Sequence, residues 1–213
     1  MKKVKKDNAN QLIGLGLNLL IIVLEAIGLI MTFMNNGVNS FLYYTVDSNI
    51  LLLLSSIVLC YFYINHINNK QDKKCKIFSV FRYISVLSVL VTFFVVITIL
   101  SPQYGFVKLL FTDEFLPLHL LCPVFAGISF IFFEKYKYTN MDTFRSLYYT
   151  FVYAIVLIIF NLLKIVDGPY PFLQIYNQSI IASILWFIAI VGGAACFSLI
   201  IRFLNKKFCL VKE

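Results

Sequence analysis

Charge is scarce in this sequence: Asp, Glu, Lys and Arg make up 13% of its 213 residues, about half the share usual in a soluble domain. Long polar stretches are missing too. No gap between apolar runs exceeds roughly 15 residues, which leaves no room for a soluble domain beside them. The five cysteines are too few, and odd in number, for a disulfide scaffold. Histidine occurs twice, at His66 and His119. Without HExxH or CxxC spacing, a zinc site of three or four ligands has no support. Glycine-rich phosphate loops and a Gly-x-Ser-x-Gly elbow are absent as well, so neither metal nor cofactor is expected.

What fills the chain instead is apolar and aromatic. Hydrophobic residues make up 61%, with 22 Phe and 13 Tyr, and the mean hydropathy is +0.87. Disordered chains are poor in such residues, and a soluble fold of this length could not bury them all. A spanning helix needs about 20 mostly apolar residues. Six stretches meet that length, at 12–34, 45–64, 77–101, 117–133, 147–166 and 179–204. The expected fold is all-α, a single six-helix transmembrane bundle over residues 1–213. The first span is too long for a cleaved signal peptide, is interrupted by Glu25 and lacks a small-x-small cleavage site after it.

Basic residues alternate between the loops. Lys2, Lys3, Lys5 and Lys6 precede the first span; Lys70, Lys73, Lys74 and Lys76 lie in the second loop; Lys135, Lys137 and Arg145 follow the fourth span; Arg202, Lys206, Lys207 and Lys212 close the chain. The first loop has none, the third only Lys108, the fifth only Lys164. Positive residues favour the cytoplasmic side, so both termini are expected there, in a cell membrane, with loops one, three and five outside. Topology and anionic lipid account for the net charge of +8 without a nucleic-acid partner. Cys75 and Cys209 then fall where thiols stay reduced. Cys60, Cys122 and Cys196 read as packing residues within spans.

Polar residues inside a bilayer are costly and face the bundle interior or a cavity. Thr45, Ser48, Asn49, Ser55 and Ser56 share one face of the second span, an i, i+3, i+4, i+7 stripe. From the stripe alone, helix–helix hydrogen bonding is the favoured reading. The fourth span opens Leu116-Pro117-Leu118-His119-Leu120-Leu121-Cys122-Pro123. Pro123 cannot donate to the His119 carbonyl, which loosens the helix there. His119 is either an interfacial residue on a kink or a general base near the outer surface. Thr45 is expected at similar depth, and a hydroxyl beside an imidazole is the minimal activated nucleophile.

The remaining polar residues divide by position. Glu25, near the middle of the first span, reads as a neutral hydrogen-bonded acid, a proton-handling site or a partner for a neighbouring helix. Lys164 and Arg82 sit near span ends and are expected to snorkel. Asp47, Asp113, Glu114 and Asp167 lie near the outer surface, where any one could orient His119. Gly192-Gly193-Ala194-Ala195 suggests a close helix contact. Gln103–Phe111 mixes aromatics with one lysine, as expected for a short interfacial segment over the outer opening.

Three stretches carry a resemblance: Tyr44-Thr45-Val46-Asp47-Ser48-Asn49, Leu118-His119-Leu120-Leu121-Cys122-Pro123 and Pro169-Tyr170-Pro171-Phe172-Leu173. As a set they resemble bacterial six-span membrane proteins, themselves distantly similar to the androgen-induced and androgen-dependent TFPI-regulating family of membrane threonine hydrolases. That resemblance implies a lipid ester hydrolase acting on fatty acyl esters, such as fatty acid esters of hydroxy fatty acids. Thr45 would be the nucleophile and His119 its base. Asn49 is the first choice of oxyanion donor, with Ser48 and Tyr170 as further substrate-binding candidates. Lipid substrate and membrane lipids are the expected partners. The rivals are a small transporter using Glu25, Asn161 and Lys164, and a non-enzymatic scaffold sensitive to changes at Gly192 or Gly193.

Overall fold

The computed structural model describes residues 2–68 and 75–210, with side chains from Asn8 onward. Lys70, Lys73, Lys74 and Lys212 lie outside the described residues, as do the side chains of Lys2, Lys3, Lys5 and Lys6. Among the described residues there is no strand, and six helical stretches are long and apolar enough to cross a membrane. In chain order the helices are α1 (Lys2–Asn36), α2 (Tyr44–Ile67), α3 (Lys76–Val95), α4 (Ser101–Tyr104), α5 (Phe106–Phe111), α6 (Cys122–Ile128), α7 (Asn140–Ser146), α8 (Tyr148–Leu162) and α9 (Ile180–Phe208). This is the architecture that lipid demands, since a helix satisfies its own backbone hydrogen bonds away from water.

The six spans fall where the apolar runs are, with ends displaced. The fifth starts at Asn140, earlier than 147, because the Thr139–Asp142 capping box opens α7 there. It stops at Leu162, short of 166, where Lys164 turns with φ 55. The fourth span is a helix with wider turns at both ends: π segments Leu116–Leu121 and Ser129–Phe133 flank α6. Loops one, three and five meet at one end of the bundle, where Asn35 donates to Glu114 at 3.1 Å and the Tyr43 and Tyr170 rings make an edge contact. The chain ends meet at the other, where the Asn10 amide donates to the Leu210 carbonyl.

α3 is the central element, in contact with α2, α6, α7, α8 and α9. Its Tyr83, Val86, Leu87 and Val89 pack with Leu52, Ala126 and Phe130 to form the core. α1 lies against α2 and the fourth span; Gly28 lets it approach so closely that a Cβ there would stand 2.7 Å from Leu118. α9 is the least enclosed span. Of Gly192-Gly193-Ala194-Ala195, Ala194 packs into the core, whereas nothing lies within 4 Å of a Cβ at either glycine. α9 docks through Ala194, Ile201 and Phe197 and through polar contacts. Ser198 meets the hydroxyls of Tyr83 and Ser146, and Asn205 donates to the carbonyls of Phe130 and Glu134. Cys196 is exposed on its outer flank, whereas Cys60 and Cys122 are buried.

Arg82 does not snorkel. It is 1% exposed, and all of its guanidinium nitrogens are bonded. Nε and Nη2 grip Glu134 at 2.8–3.2 Å, Nη1 donates to Ser55 and Ser56, and Nη2 also donates to the Asn18 carbonyl oxygen. Ser129 bridges Asn18 and Glu134, accepting at 2.8 Å from the Asn18 amide and donating at 2.7 Å to the carboxylate. Spans one to four are thus tied at one depth by a bidentate ion pair whose remaining donors are all occupied.

Candidate functional site

The polar stripe on α2 is buried throughout, from Thr45 at 8% exposure to Ser55 and Ser56 at 0%. Its members do different work. Ser55 and Ser56 accept from Arg82. Ser48 bonds Thr92 of α3 at 3.1 Å, the helix-to-helix role the stripe suggests. Asn49 donates to the carbonyls of Thr45 at 2.7 Å and Leu118 at 3.3 Å.

That last bond answers Pro123. In the π register each N–H reaches back five residues, as Cys122 does to the Pro117 carbonyl. The carbonyl Pro123 leaves without a donor is therefore that of Leu118, not of His119, and the Asn49 amide takes its place. Asn49 is thus committed to the backbone rather than to a substrate oxyanion. Its own Oδ1 is buried without a partner among the described residues. Asn49→Leu should cost about 1–3 kcal/mol. In a Pro123→Ala background, where an N–H returns, the loss should be smaller. A double-mutant cycle on detergent unfolding measures the difference.

Thr45 stands in the first turn of α2. There Val46 and Asp47 both donate to the Tyr43 carbonyl, while the N–H groups of Tyr44 and Thr45 have no intrahelical acceptor. The Tyr170 phenol, carried by the fifth loop, is turned to those two N–H groups and to the Thr45 hydroxyl. Ring contacts hold it there: Phe172 stacks on it at 5.2 Å, and Trp186 packs behind Phe172. Burial pushes the Tyr170 phenol up to about 12. Between its unfolded value of ~10 and about 12 the folded state holds a proton the unfolded chain has lost. Stability is therefore intact below that window and falls as pH rises through it. Tyr170→Phe should flatten this alkaline decline, measured by unfolding at stepped pH.

Thr45 and Tyr170 head a cavity of about 750 Å³, its open mouth included, between α3, α8, α9 and the fifth loop. The other hydroxyls along it are engaged: Tyr44 with Thr150 at 2.7 Å, Tyr153 with the Leu42 carbonyl at 2.7 Å, Thr92 with Ser48. The rest of the wall is apolar, including Val91, Val95, Leu173, Trp186 and Ile190.

His119 is 6% exposed and does not line this cavity. Its Nδ1 lies 2.8 Å from the Leu109 carbonyl and its ring stacks on Phe115 at 5.1 Å. A carbonyl only accepts, so Nδ1 carries the proton and Nε2 keeps the basic lone pair. The orienting group is thus a backbone carbonyl rather than an acid. Asp47 accepts from Tyr149, and Glu114 is held by Asn35, close enough to act on His119 electrostatically. Leu109 belongs to α5, which falls within the short interfacial helix or loop expected at 103–111; Gly105, at φ 98, makes the turn between α4 and α5. Thr45 and His119 are not bonded to each other. The structure brings Thr45 together with Tyr170 and gives His119 to α5.

Glu25 is fully buried beside Cys122, among the described residues the one side chain near enough to its carboxyl group to interact with it. Lys164 lies exposed in the fifth loop, over the Tyr176 ring at 5.4 Å. Asn161 lines no pathway: it ties the same loop, donating to Val166 and accepting from the Ile175 N–H. Glu25, Asn161 and Lys164 therefore form no common site. Glu134 and the Tyr44–Thr45 backbone escaped the sequence reading. The first could have been sought as the partner that a membrane arginine requires.

Fold and site define a six-span helical membrane protein with a hydroxyl-headed apolar cavity. No protein-family description, characterised protein or solved structure matches the chain.

Proposed function

We propose that this protein is a multi-pass membrane enzyme that cleaves fatty acyl esters, with Thr45 as nucleophile and His119 as base. The observation that carries this reading is that Thr45 and Tyr170 line one mostly apolar cavity and face each other there. His119 Nε2 takes the hydroxyl proton as Thr45 Oγ1 attacks the ester carbonyl carbon. The negative oxygen of the tetrahedral intermediate is met by the N–H groups of Tyr44 and Thr45 and by the Tyr170 O–H, a better donor set than Asn49. The intermediate collapses to acyl-Thr45, and the alcohol leaves with the proton from His119. Water, deprotonated by the same nitrogen, attacks the acyl-threonine and releases the fatty acid. Since His119 is tied to Leu109 and Thr45 faces Tyr170, the cycle includes a movement that carries Nε2 to Thr45. Catalytic hydrogen bonds often close only with substrate.

The test is a fluorophosphonate probe on the purified protein, with adducts mapped by mass spectrometry. A Thr45 adduct that needs His119 is the expected result; an unlabelled Thr45 in protein that hydrolyses no ester defeats the reading. The second reading, lipid binding without chemistry, is favoured by the distance of His119 from the cavity lining. Cell-membrane residence with both termini cytoplasmic belongs to the same proposal and rests on the loop charges. A reporter fused after Glu213 should be active only when it requires the cytoplasm, and activity confined to the other side would reverse the topology.

A further inference from the structure

The cavity's lining is uniform in charge type: among the described residues, no Lys, Arg, His, Asp or Glu lines it. Its side-chain polar groups are hydroxyls and the Trp186 indole N–H; Tyr44, Thr92, Thr150, Tyr153 and Ser183 have other partners in the protein, and Thr45 and Tyr170 face each other. A hydroxyl can donate to an ester carbonyl or accept from an alcohol. It cannot neutralise a carboxylate or a phosphate, and burying such a group unpaired is strongly unfavourable. The surroundings reinforce this. Asp47 stands two residues along α2 from Thr45, its carboxylate held by Tyr149. Asp113, Glu114 and Asp167 belong to the same end of the bundle, where Lys108 and Lys164 are the basic residues. Lys164 is held over Tyr176. Neither Lys108 nor Lys164 is among the lining residues.

Depth sets the other half of the ligand. The lining on the third span runs from Val91 to Leu100, about 14 Å along the helix axis at ~1.5 Å per residue. A second apolar cleft, about 570 Å³ with its open space included, shares Val91, Val95 and Ile190 with it and extends past Gly193. The shared residues set the two side by side along the α3–α9 groove, room for an acyl chain.

We infer that the cavity is a binding site for an uncharged lipid, a fatty chain bearing an ester or alcohol headgroup, and that it discriminates against free fatty acids, phospholipids and any ester that carries a free carboxylate. The inference deepens the hydrolase reading by narrowing its substrate class, but it concerns binding and stands without chemistry. It departs from what the resemblance implies, because fatty acid esters of hydroxy fatty acids carry a free carboxylate.

The test uses the full chain in nanodiscs of a neutral saturated lipid, with three photo-crosslinking probes of identical chain length. One is a monoacylglycerol, one a free fatty acid, one a lysophospholipid. At pH 8 the monoacylglycerol probe should label the Phe172 and Trp186 peptides about tenfold or more above the other two. Ile175→Arg, which adds a cation at the lining, should raise free-acid labelling toward the neutral level. Ala154→Trp, which fills the wall, should depress neutral labelling. Equal or stronger labelling by the free acid or the lysophospholipid in the unaltered protein overturns the inference, as does labelling that maps elsewhere. Neutral-probe labelling without ester cleavage keeps the inference and sinks the hydrolase reading. Cleavage confined to carboxylate-bearing esters does the reverse.

Discussion

Arg82→Ala should lower the stability of the bundle by about 3–5 kcal/mol, because it leaves the Glu134 carboxylate buried and unpaired. Glu134→Ala should cost a similar amount for the opposite reason. Arg82 is 1% exposed and makes contacts with Asn18, Ser55, Ser56 and Glu134, so the loss is not confined to one helix pair. Replacing both ions by apolar residues of similar volume, Arg82→Met with Glu134→Leu, should recover much of the loss. Unfolding in mixed micelles, read by tyrosine fluorescence, distinguishes these cases. If the single and double variants lose equal stability, the network is a set of neutral hydrogen bonds and the ion pair contributes nothing of its own.

Thr45→Ala and His119→Ala should each abolish ester cleavage while leaving the fold in place, and the double variant should be no worse than either alone. Groups that act as one unit are not additive. Stability should fall by only about 1 kcal/mol at each site. Tyr170→Phe should reduce kcat by roughly 10²-fold if its hydroxyl meets the oxyanion, the scale for one such donor. Glu25→Gln should keep substantial activity, since Glu25 packs beside Cys122 and lies off the cavity. Hydrolysis that survives in His119→Ala but not in Thr45→Ala would leave the nucleophile standing and remove the base.

The spans were legible because lipid imposes length and apolarity on each segment by itself. The polar stripe on α2 was legible for a similar reason: its periodicity is local. Arg82 was misread because snorkelling is also a local rule, whereas its partners come from three other spans. The common depth of Asn18, Ser55, Ser129 and Glu134 was the available signal. The Leu118 carbonyl could not be located from sequence, because the π register that shifts the orphan by one residue is set by packing. Of the four small residues at Gly192-Gly193-Ala194-Ala195 only Ala194 is drawn into the core, because small residues permit an approach without compelling it. Thr45 and His119 could be placed at similar depth by counting. Which face each presents depends on the α5 segment and on the Tyr170 turn, both outside the spans that carry the pair.

The loose docking of α9 has a consequence for how the protein is made. The Arg82–Glu134 knot joins only the first four spans, so a nascent chain can assemble that unit before its last helix leaves the ribosome. Two sides of the cavity do not exist at that stage: Ser183, Trp186 and Ile190 come from α9, and Tyr170 and Phe172 from the loop before it. The side of Thr45 that faces the cavity is therefore open to bilayer lipid until Ile180–Phe208 inserts and is drawn in by Ser198 and Asn205. In biogenesis, the cavity is completed last, by the span whose own residues are least buried.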